Sequence, residues 1–195
     1  MRLLLARHGQ TDWNAAGRIQ GQTDTPLNDQ GRAQAAALAL RLTRAGEYID
    51  AIYASPQLRA LETARITGEA LGLTPVVVDD LREVSFGDWE GYSWDEIARR
   101  WPEEYAAYLD DRLYTPPPGG ESFAHLLRRV YPALAEIAAV GEGTALVVCH
   151  SAVIKAVCCH MDGRSFRDIQ RQYAMDNGAW VALSQDACSH FPPVL

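Results

Sequence analysis

The chain has 195 residues, of which 48% are hydrophobic and 22% charged, a composition typical of globular domains. Its 25 acidic and 18 basic residues give a formal net charge of −7, which argues against nucleic acid as a partner because nucleic-acid binders carry a basic surface that releases counterions from phosphates. A chain of this length buries enough surface to fold as one domain, residues 1–195, without a metal ion or a disulfide to support its core.

The N-terminal segment begins like a secretory signal but is interrupted too early. Arg2 precedes four apolar residues, and Arg7 and His8 follow before a signal-peptide core is complete. No later apolar run reaches the length that a bilayer-spanning helix requires. We therefore expect a cytoplasmic protein with no membrane partner.

Short apolar runs in the first half of the chain predict buried strands separated by helices. The runs cover residues 3–6, 51–54 and 76–78. A polar loop at 9–28 leads from the first run into a helix capped by Asn28 and ended by Gly46. A second helix begins near Ser55 and ends at Gly72.

The second half of the chain continues this alternation. A loop at 79–91 precedes two short helices, and a proline- and glycine-rich segment at 116–120 is interpreted as a rigid surface loop. The remaining predicted elements are helix 121–140, strand 144–149, helix 151–160 and strand 179–183. Strands that alternate with helices predict an α/β fold, a three-layer α/β/α sandwich with a mostly parallel central sheet.

Polar residues follow the ends of the predicted strands. His8 and His150 end the first and fourth strands, and Arg59 and Glu83 lie just beyond the second and third. Open sheets of this kind bind ligands beyond the carboxyl ends of their strands. These side chains are therefore expected to meet at one edge of the sheet.

Two of these positions also have ordinary structural interpretations. The tripeptide Arg7-His8-Gly9 alone is a weak signal, since such residues also start polar loops. Arg59 falls in the first turn of a helix, where free N–H groups favour anions. An arginine on a helix face also commonly forms an ion pair, here with a neighbour such as Glu62.

The carboxylates and the second histidine have alternatives as well. Glu83, Asp88 and Glu90 all lie in the loop at 79–91 among apolar neighbours, which would raise the pKa of a carboxyl group. The residues alone do not distinguish them. His150 follows a buried strand and is either functional or a hydrogen-bonded core histidine.

Four blocks of sequence, taken in this order, resemble the histidine phosphatase superfamily in its phosphoglycerate-mutase-like branch. The first block reads RHGQTDWN at 7–14 and continues as QGQTDTPL at 20–27. The others are SPQLRALETA at 55–64, LREVSFGDWEG at 81–91 and VVCHS at 147–151. The resemblance covers nearly the whole chain and implies the phosphoglycerate-mutase-like form of the predicted α/β/α sandwich.

The resemblance also implies roles for individual residues. His8 would attack phosphorus to form a phosphohistidine, and Glu83 would protonate the leaving group and later accept a proton from water. Forked guanidinium groups and a second imidazole would hold the phosphoryl oxygens, at Arg7, Arg59 and His150. Further phosphate-binding positions are implied at Asn14, Gln20 and Gly21. No metal and no cofactor is expected.

The same machinery serves hydrolysis and mutase-type transfer, and one feature favours hydrolysis. The resemblance implies that mutases of this family are longer chains with an added segment in the middle, where this chain is short. Residues 81–96 here resemble instead the corresponding segment of broad-specificity phosphatases and α-ribazole phosphatases. We predict a phosphatase acting on phosphate monoesters of small metabolites. The alternatives are phosphoglycerate-mutase-type transfer and a non-catalytic phospho-ligand binding module, which would be expected to have lost one of the catalytic residues. A homodimer is left open.

Two further groups of side chains are ambiguous in the sequence. The cysteines at 149, 158, 159 and 188 lack paired spacing and are read as free thiols, because neighbouring cysteines in a zinc site with His160 would point in different directions. Aromatic residues either form a pocket for the leaving group or belong to the core: Trp89, Trp94, Trp101, Tyr105 and Tyr108.

Overall fold

A computed structural model describes residues 1–194 of the chain. Its sheet has five strands, β1 (Arg2–Arg7), β2 (Ala51–Ala54), β3 (Val76–Val77), β4 (Thr144–Cys149) and β5 (Trp180–Leu183), in the order β3-β2-β4-β1-β5. The pairs β3–β2, β2–β4 and β4–β1 are parallel, and β5 pairs antiparallel with β1 at the edge. The predicted mostly parallel sheet is confirmed.

Both faces of this sheet are buried, which explains the continuous apolar runs in the sequence. Along β1, Leu3 and Leu5 belong to one apolar cluster, and Leu4 and Ala6 belong to the other. Successive side chains of a strand point to opposite faces, so a strand covered on both sides must be apolar throughout. The two clusters are the cores of a three-layer sandwich, as predicted.

The helices form the outer layers: α1 (Asp12–Ala15), α2 (Asp29–Arg44), α3 (Leu58–Leu71), α4 (Trp94–Arg100), α5 (Pro102–Asp110), α6 (Phe123–Ala139), α7 (Ser151–Met161), α8 (Ile169–Gln172) and α9 (Gln185–Ser189). Leu38 and Leu42 of α2 and Ala60 and Ala64 of α3 pack on one face of the sheet. The other face is covered chiefly by α6 and α7. Within residues 1–194, no helix combines the length and the apolar character needed to cross a bilayer.

The structure differs from the sequence prediction mainly in short helices. The long polar loop after β1 contains α1, where Thr11 and Asn14 form a reciprocal capping box. Helices α8 and α9 were not predicted, because each is only about one turn long and too short for a hydrophobic period to show. Helix α3 begins at Leu58 rather than near Ser55, and the carboxylate of Asp24 accepts its first N–H at 2.7 Å.

Candidate active site

A cavity of about 290 Å³ lies at the carboxyl ends of β1 and β4. Seven of the eight predicted site residues line it: Arg7, His8, Asn14, Gln20, Gly21, Arg59 and Glu83. The eighth, His150, is fully buried beside His8, with 5.3 Å between the two ring centroids. The four sequence blocks therefore meet at the sheet edge where ligands of such folds bind.

His8 is held in one tautomer by its own backbone. Its Nδ1 lies 2.6 Å from the carbonyl oxygen of Gly9, which can only accept, so Nδ1 carries the proton and Nε2 is left with a free lone pair. Burial, together with the positive charges of Arg59 and Arg7, lowers the pKa of His8 well below its ordinary value. His8 is therefore an uncharged imidazole with a nucleophilic Nε2 at neutral pH.

The chain around His8 is fixed by small residues and hydroxyl groups. The N–H of Gly9 donates to Thr63 Oγ1 at 3.0 Å. A Cβ atom at Gly9 would lie 2.3 Å from the carbonyl oxygen of Gly31, so only glycine allows α2 to approach this closely. Contacts of Gly9 with α2 and α3 thus fix the backbone next to the nucleophile.

His150 is positioned by Ser55 at the end of β2. Its Nε2 lies 2.8 Å from Ser55 Oγ, while its Nδ1 is buried and has no hydrogen-bond partner among the described residues. Burial and the positive charge of Arg59 lower the pKa of His150 well below its ordinary value. A buried ring nitrogen without a partner is uncommon in folded proteins, and here it leaves one hydrogen bond unused in the residue beside the nucleophile.

Arg7 and Arg59 are the two least exposed of the three arginines that line the cavity. Arg59 is 1% exposed, and its Nη1 and Nη2 donate to the carbonyl oxygens of Thr23 and Gly21 at 2.9 and 2.7 Å. Burial lowers the pKa of Arg59 to about 10, so it remains protonated at neutral pH. Arg7 donates through Nη1 to the carbonyl oxygen of Met175. The Nε atoms of both arginines lack a partner within the described chain.

The loop at 21–23, whose carbonyl oxygens accept from Arg59, is held in turn by hydrogen bonds to Glu90. The Glu90 carboxylate accepts from the N–H groups of Gln22 and Thr23 at 2.9 and 2.8 Å and from that of Phe86 at 3.1 Å. Gly21 has φ +52°, and a Cβ atom there would lie 2.0 Å from Glu90 Oε1. Glu90, which the sequence could not separate from Glu83, is thus a structural carboxylate.

Glu83 also lines the cavity and is held there by backbone N–H groups. Its carboxylate accepts backbone N–H groups from Val84, Ala152 and Val153 at 3.0, 3.1 and 3.2 Å, the last two from the first turn of α7. Burial raises the pKa of Glu83, and these hydrogen bonds together with the charges of Arg59 and Arg7 oppose the rise only in part. A carboxyl group with a raised pKa is suited to exchanging protons near neutral pH.

Two residues outside the predicted set hold Glu83 in place. Gln57 accepts the Glu83 N–H at 2.7 Å through Oε1 and donates to the carbonyl oxygen of Gly21 at 3.0 Å through Nε2. Arg129 on α6 donates to the carbonyl oxygens of Asp80, Arg82 and Glu83. Arg129 also pairs with Glu121, but its contacts with residues 80–83 span more than forty residues of chain, and the sequence gives no signal for them.

Asn14 and Gln20 line the cavity, and hydrogen bonds hold their side chains in place. Asn14 Oδ1 accepts from the Thr11 N–H at 3.2 Å and from Asn177 Nδ2 at 3.3 Å, which leaves its amide N–H groups as the donors available to a ligand. Gln20 Oε1 accepts from Thr11 Oγ1 at 2.8 Å, so its amide nitrogen is likewise the group free to donate. Both side chains therefore keep amide N–H groups that can donate to an anion.

The outer part of the cavity has a mixed lining. Phe86 and Trp94 supply aromatic surface, and Arg18, Ser151 and Gln170 supply polar groups. Two of the other aromatic residues, Trp89 and Tyr108, are 0% and 2% exposed and belong to the core. Of the aromatic residues singled out in the sequence, Trp94 alone lines this cavity.

No group of three or more His, Cys, Asp or Glu side chains in the described part of the chain is arranged to hold a metal ion. Cys149 ends β4 in the core, and Cys158 and Cys159 follow each other on α7. The cysteines are free thiols, and burial raises their pKa values, for Cys158 and Cys159 to about 11. This is the arrangement expected of structural thiols.

A model of the histidine phosphatase superfamily (branch 1) matches residues 3–190. A bifunctional protein of Mycobacterium tuberculosis is 46% identical over 155 residues, which cover 79% of this chain and 42% of that protein. A metal-independent phosphoserine phosphatase of Arabidopsis thaliana is 40% identical over 158 residues, covering 80% of this chain and 66% of the relative. The chain thus spans about two fifths and two thirds of the lengths of these relatives.

Solved structures share the fold closely. The structure of a mycobacterial glucosyl-3-phosphoglycerate phosphatase complexed with VO3 superposes with a TM-score of 0.81 and 34% sequence identity. The match covers 94% of this chain and 92% of that one.

Proposed function

The chain belongs to the histidine phosphatase superfamily (branch 1), and from this premise we propose that it is a metal-independent phosphatase that hydrolyses phosphate monoesters of small metabolites through a phosphohistidine on His8. One observation carries the proposal. His8 is buried and uncharged, its Nδ1 proton is fixed on the Gly9 carbonyl, and its free Nε2 shares a cavity with Arg7 and Arg59.

In the first step, His8 Nε2 attacks phosphorus as the bond to the leaving oxygen breaks. Negative charge spreads over the equatorial phosphoryl oxygens, so positioned cations and hydrogen-bond donors lower the barrier. Arg7 and Arg59 serve this purpose, and the unpartnered Nδ1 of His150 adds a further contact. Protonated Glu83 gives its proton to the leaving alkoxide, which departs as the alcohol.

In the second step, water attacks the phosphohistidine. Glu83, now a carboxylate, takes a proton from that water, and the N–P bond breaks to return neutral His8 and inorganic phosphate. The three backbone N–H groups around the Glu83 carboxylate stabilise this ionised state between the two steps. The cycle balances without a metal ion or an added cofactor.

The size of the cavity and the relatives support small substrates. A cavity of about 290 Å³ accommodates a phosphate and a compact leaving group. The Arabidopsis relative is named for phosphoserine and the mycobacterial structure for glucosyl-3-phosphoglycerate, both phosphate-bearing organic acids. We infer that this chain acts on the same broad class of phosphorylated metabolites.

The proposal is tested by measuring inorganic phosphate released from p-nitrophenyl phosphate, O-phosphoserine, 3-phosphoglycerate and sugar phosphates, with and without EDTA. We expect release that EDTA does not change. Isomerised 3-phosphoglycerate without phosphate release would instead identify mutase-type transfer, and no turnover of any ester would identify a binding module. Loss of activity with EDTA would contradict the metal-free mechanism.

The role of Glu83 has its own test. In Glu83→Gln the leaving group receives no proton, so alkyl phosphates with poor leaving groups should lose about 100-fold or more in kcat/KM, within the usual range for acid catalysis. p-Nitrophenyl phosphate, whose leaving group needs no proton, should lose much less. An equal loss for both substrates would remove Glu83 from the role of leaving-group acid.

A further inference from the structure

A second cavity, of about 420 Å³, lies beside the catalytic one and is rich in arginine. Arg112, Arg167 and Arg171 line it together with Tyr105 and Asp168. Three guanidinium groups around one cavity are unusual in a chain whose formal net charge is −7. Nothing in the proposed hydrolysis at His8 uses them.

The positive charge of this cavity is only partly neutralised. Arg167 forms an ion pair with Asp110, and Asp168 supplies the one carboxylate in the lining. No hydrogen bond or ion pair joins the guanidinium groups of Arg112 and Arg171 to other residues of the described chain. The cavity therefore has an excess of positive charge, which attracts anions.

Arg112 has already lost part of its hydration. Its Nε is shielded from solvent without a hydrogen-bond acceptor, and its guanidinium carbon lies 5.4 Å from the centre of the Tyr108 ring. A cation–π contact offsets only part of the cost of removing a cation from water. An anion placed against the remaining guanidinium N–H groups would supply the missing interaction.

Gln170 connects the two cavities. Its side chain belongs to the lining of both, and its Oε1 accepts from Lys155 Nζ at 2.7 Å. Lys155 is 8% exposed. Its pKa is lowered mainly by burial, and the positive charges of Arg7 and Arg112 lower it further. Positive charge thus extends from the phosphate site past Lys155 to the second cavity.

We propose that the second cavity binds a further anionic group, a carboxylate or a phosphate, carried by the leaving group of the same substrate molecule whose scissile phosphate lies at His8. This inference rests on the proposed function and narrows its substrate class to phosphate monoesters with a second, remote anion. Arg112 and Arg171 bind that anion, and the amide of Gln170 lies along the path between the two sites.

The test uses matched pairs of substrates of increasing chain length. Each ω-carboxyalkyl phosphate is compared with the n-alkyl phosphate of equal length, and α,ω-alkanediol bisphosphates show whether the site prefers a phosphate to a carboxylate. At one chain length or more, we expect the dianionic member of the pair to have a kcat/KM at least about tenfold higher, mainly through a lower KM. A tenfold preference corresponds to about 1.4 kcal/mol.

Variants assign that preference to the cavity. Arg171 is exposed and makes no side-chain hydrogen bond within the described residues, so Arg171→Gln should fold normally and reduce the preference to about twofold or less. Arg112→Gln should do the same. Arg44→Gln, on the exposed end of α2, is the matched control and should retain the full preference.

The outcomes separate this inference from the proposed function. Equal rates for the two members of every pair, or a preference that survives both Arg171→Gln and Arg112→Gln, would overturn the second site while leaving the phosphatase intact. Loss of the preference in Arg18→Gln, with Arg171→Gln unaffected, would assign the anion to the catalytic cavity instead. Absence of turnover for p-nitrophenyl phosphate and for every ester would count against the proposed function itself.

Discussion

At the scale of single residues, burial determines the protonation states of the site. His8 and His150 are 3% and 0% exposed, and their pKa values are lowered because desolvation and nearby arginines disfavour the imidazolium form. Glu83 is 8% exposed, and the same desolvation raises its pKa because here the charged form is the carboxylate. A neutral nucleophile and a protonated acid are thus present together over a common pH range.

The pH dependence of kcat/KM follows from these directions. Because Glu83 acts in its protonated form in the first step, kcat/KM for an alkyl phosphate should fall as the pH rises through the pKa of Glu83. In Glu83→Gln this alkaline decrease should disappear, and comparison on one substrate cancels the ionisation of the substrate itself. An alkaline decrease that is unchanged in Glu83→Gln would assign it to another group.

The position of Arg59 depends on one glycine, which a substitution can test. In Gly21→Ala the new Cβ would lie 2.0 Å from Glu90 Oε1 at φ +52°, so the Glu90 carboxylate or the loop must shift. Either shift weakens the hydrogen bonds by which Glu90 holds the loop whose carbonyls anchor Arg59. We expect a loss of about 1–3 kcal/mol in the free energy of unfolding and a fall in kcat/KM. Urea denaturation and steady-state kinetics measure the two effects.

Gly46→Ala is the matched control for that substitution. Gly46 follows helix α2, away from the cavity, and also has a positive φ, +76°, but a Cβ atom there meets nothing within 4 Å. This control variant should lose only the free energy of unfolding that a positive φ costs an alanine, and it should retain most of the wild-type kcat/KM. If both variants lost activity equally, the contact between Gly21 and Glu90 would not explain the effect.

At the scale of elements, helices position catalytic groups that the strands alone do not. The first turn of α7 binds the Glu83 carboxylate, and α6 holds the Glu83 segment through Arg129. Helix α3 presents Arg59 from its first turn, where the sequence predicted an anion-binding arginine. The alternative, an ion pair of Arg59 with a neighbour such as Glu62, is not seen, since Glu62 binds Arg32 at 2.8 Å.

Removal of Arg129 should affect catalysis through Glu83. Arg129→Gln removes hydrogen bonds to three backbone carbonyls, of which the one to Glu83 is part-buried, and the ion pair with Glu121. A hydrogen bond to a charged group is worth about 1.5–3 kcal/mol when it is shielded from water. We expect kcat/KM to fall about tenfold for alkyl phosphates and less for p-nitrophenyl phosphate. A uniform fall for both substrates would indicate general destabilisation rather than misplacement of the acid.

At the scale of the whole molecule, the sequence predicts the strands and long helices better than the contacts that hold the site residues in place. Buried strands appear as continuous apolar runs, so all five strands and the long helices α2, α3, α6 and α7 could be located. The antiparallel direction of β5 could not, because periodicity does not encode strand direction. Ser55 and Gln57 lie in the sequence block at 55–64, but their contacts, like those of Arg129 with residues 80–83, join distant segments and could not be predicted from it.

The buried histidines also predict how the whole fold responds to acid. Between their ordinary pKa and their lowered folded-state pKa values, the unfolded chain binds protons at His8 and His150 that the native state does not, so stability falls as the pH drops below about 6.5. Glu83, with its raised pKa, acts in the opposite direction, since its contribution is present at low pH and is lost as the pH rises.

The two histidines outnumber Glu83, so a net loss of stability toward acid is expected. In His8→Gln that loss should be reduced by about 1.4 kcal/mol per pH unit over the affected range, because one of the differential protonation sites is removed. Urea denaturation at several values between neutral and mildly acidic pH measures it. An unchanged slope in His8→Gln would show that His8 is protonated in the folded protein.

The central claim is that His8 carries the phosphoryl group, and rapid quenching tests it most directly. Enzyme mixed with a radiolabelled phosphate monoester is quenched in alkali, and the labelled peptide is identified by mass spectrometry. We predict a label that is stable in alkali, labile in acid and located on His8, and no label or turnover in His8→Ala. Turnover without a labelled enzyme, or a label on another residue, would contradict the account.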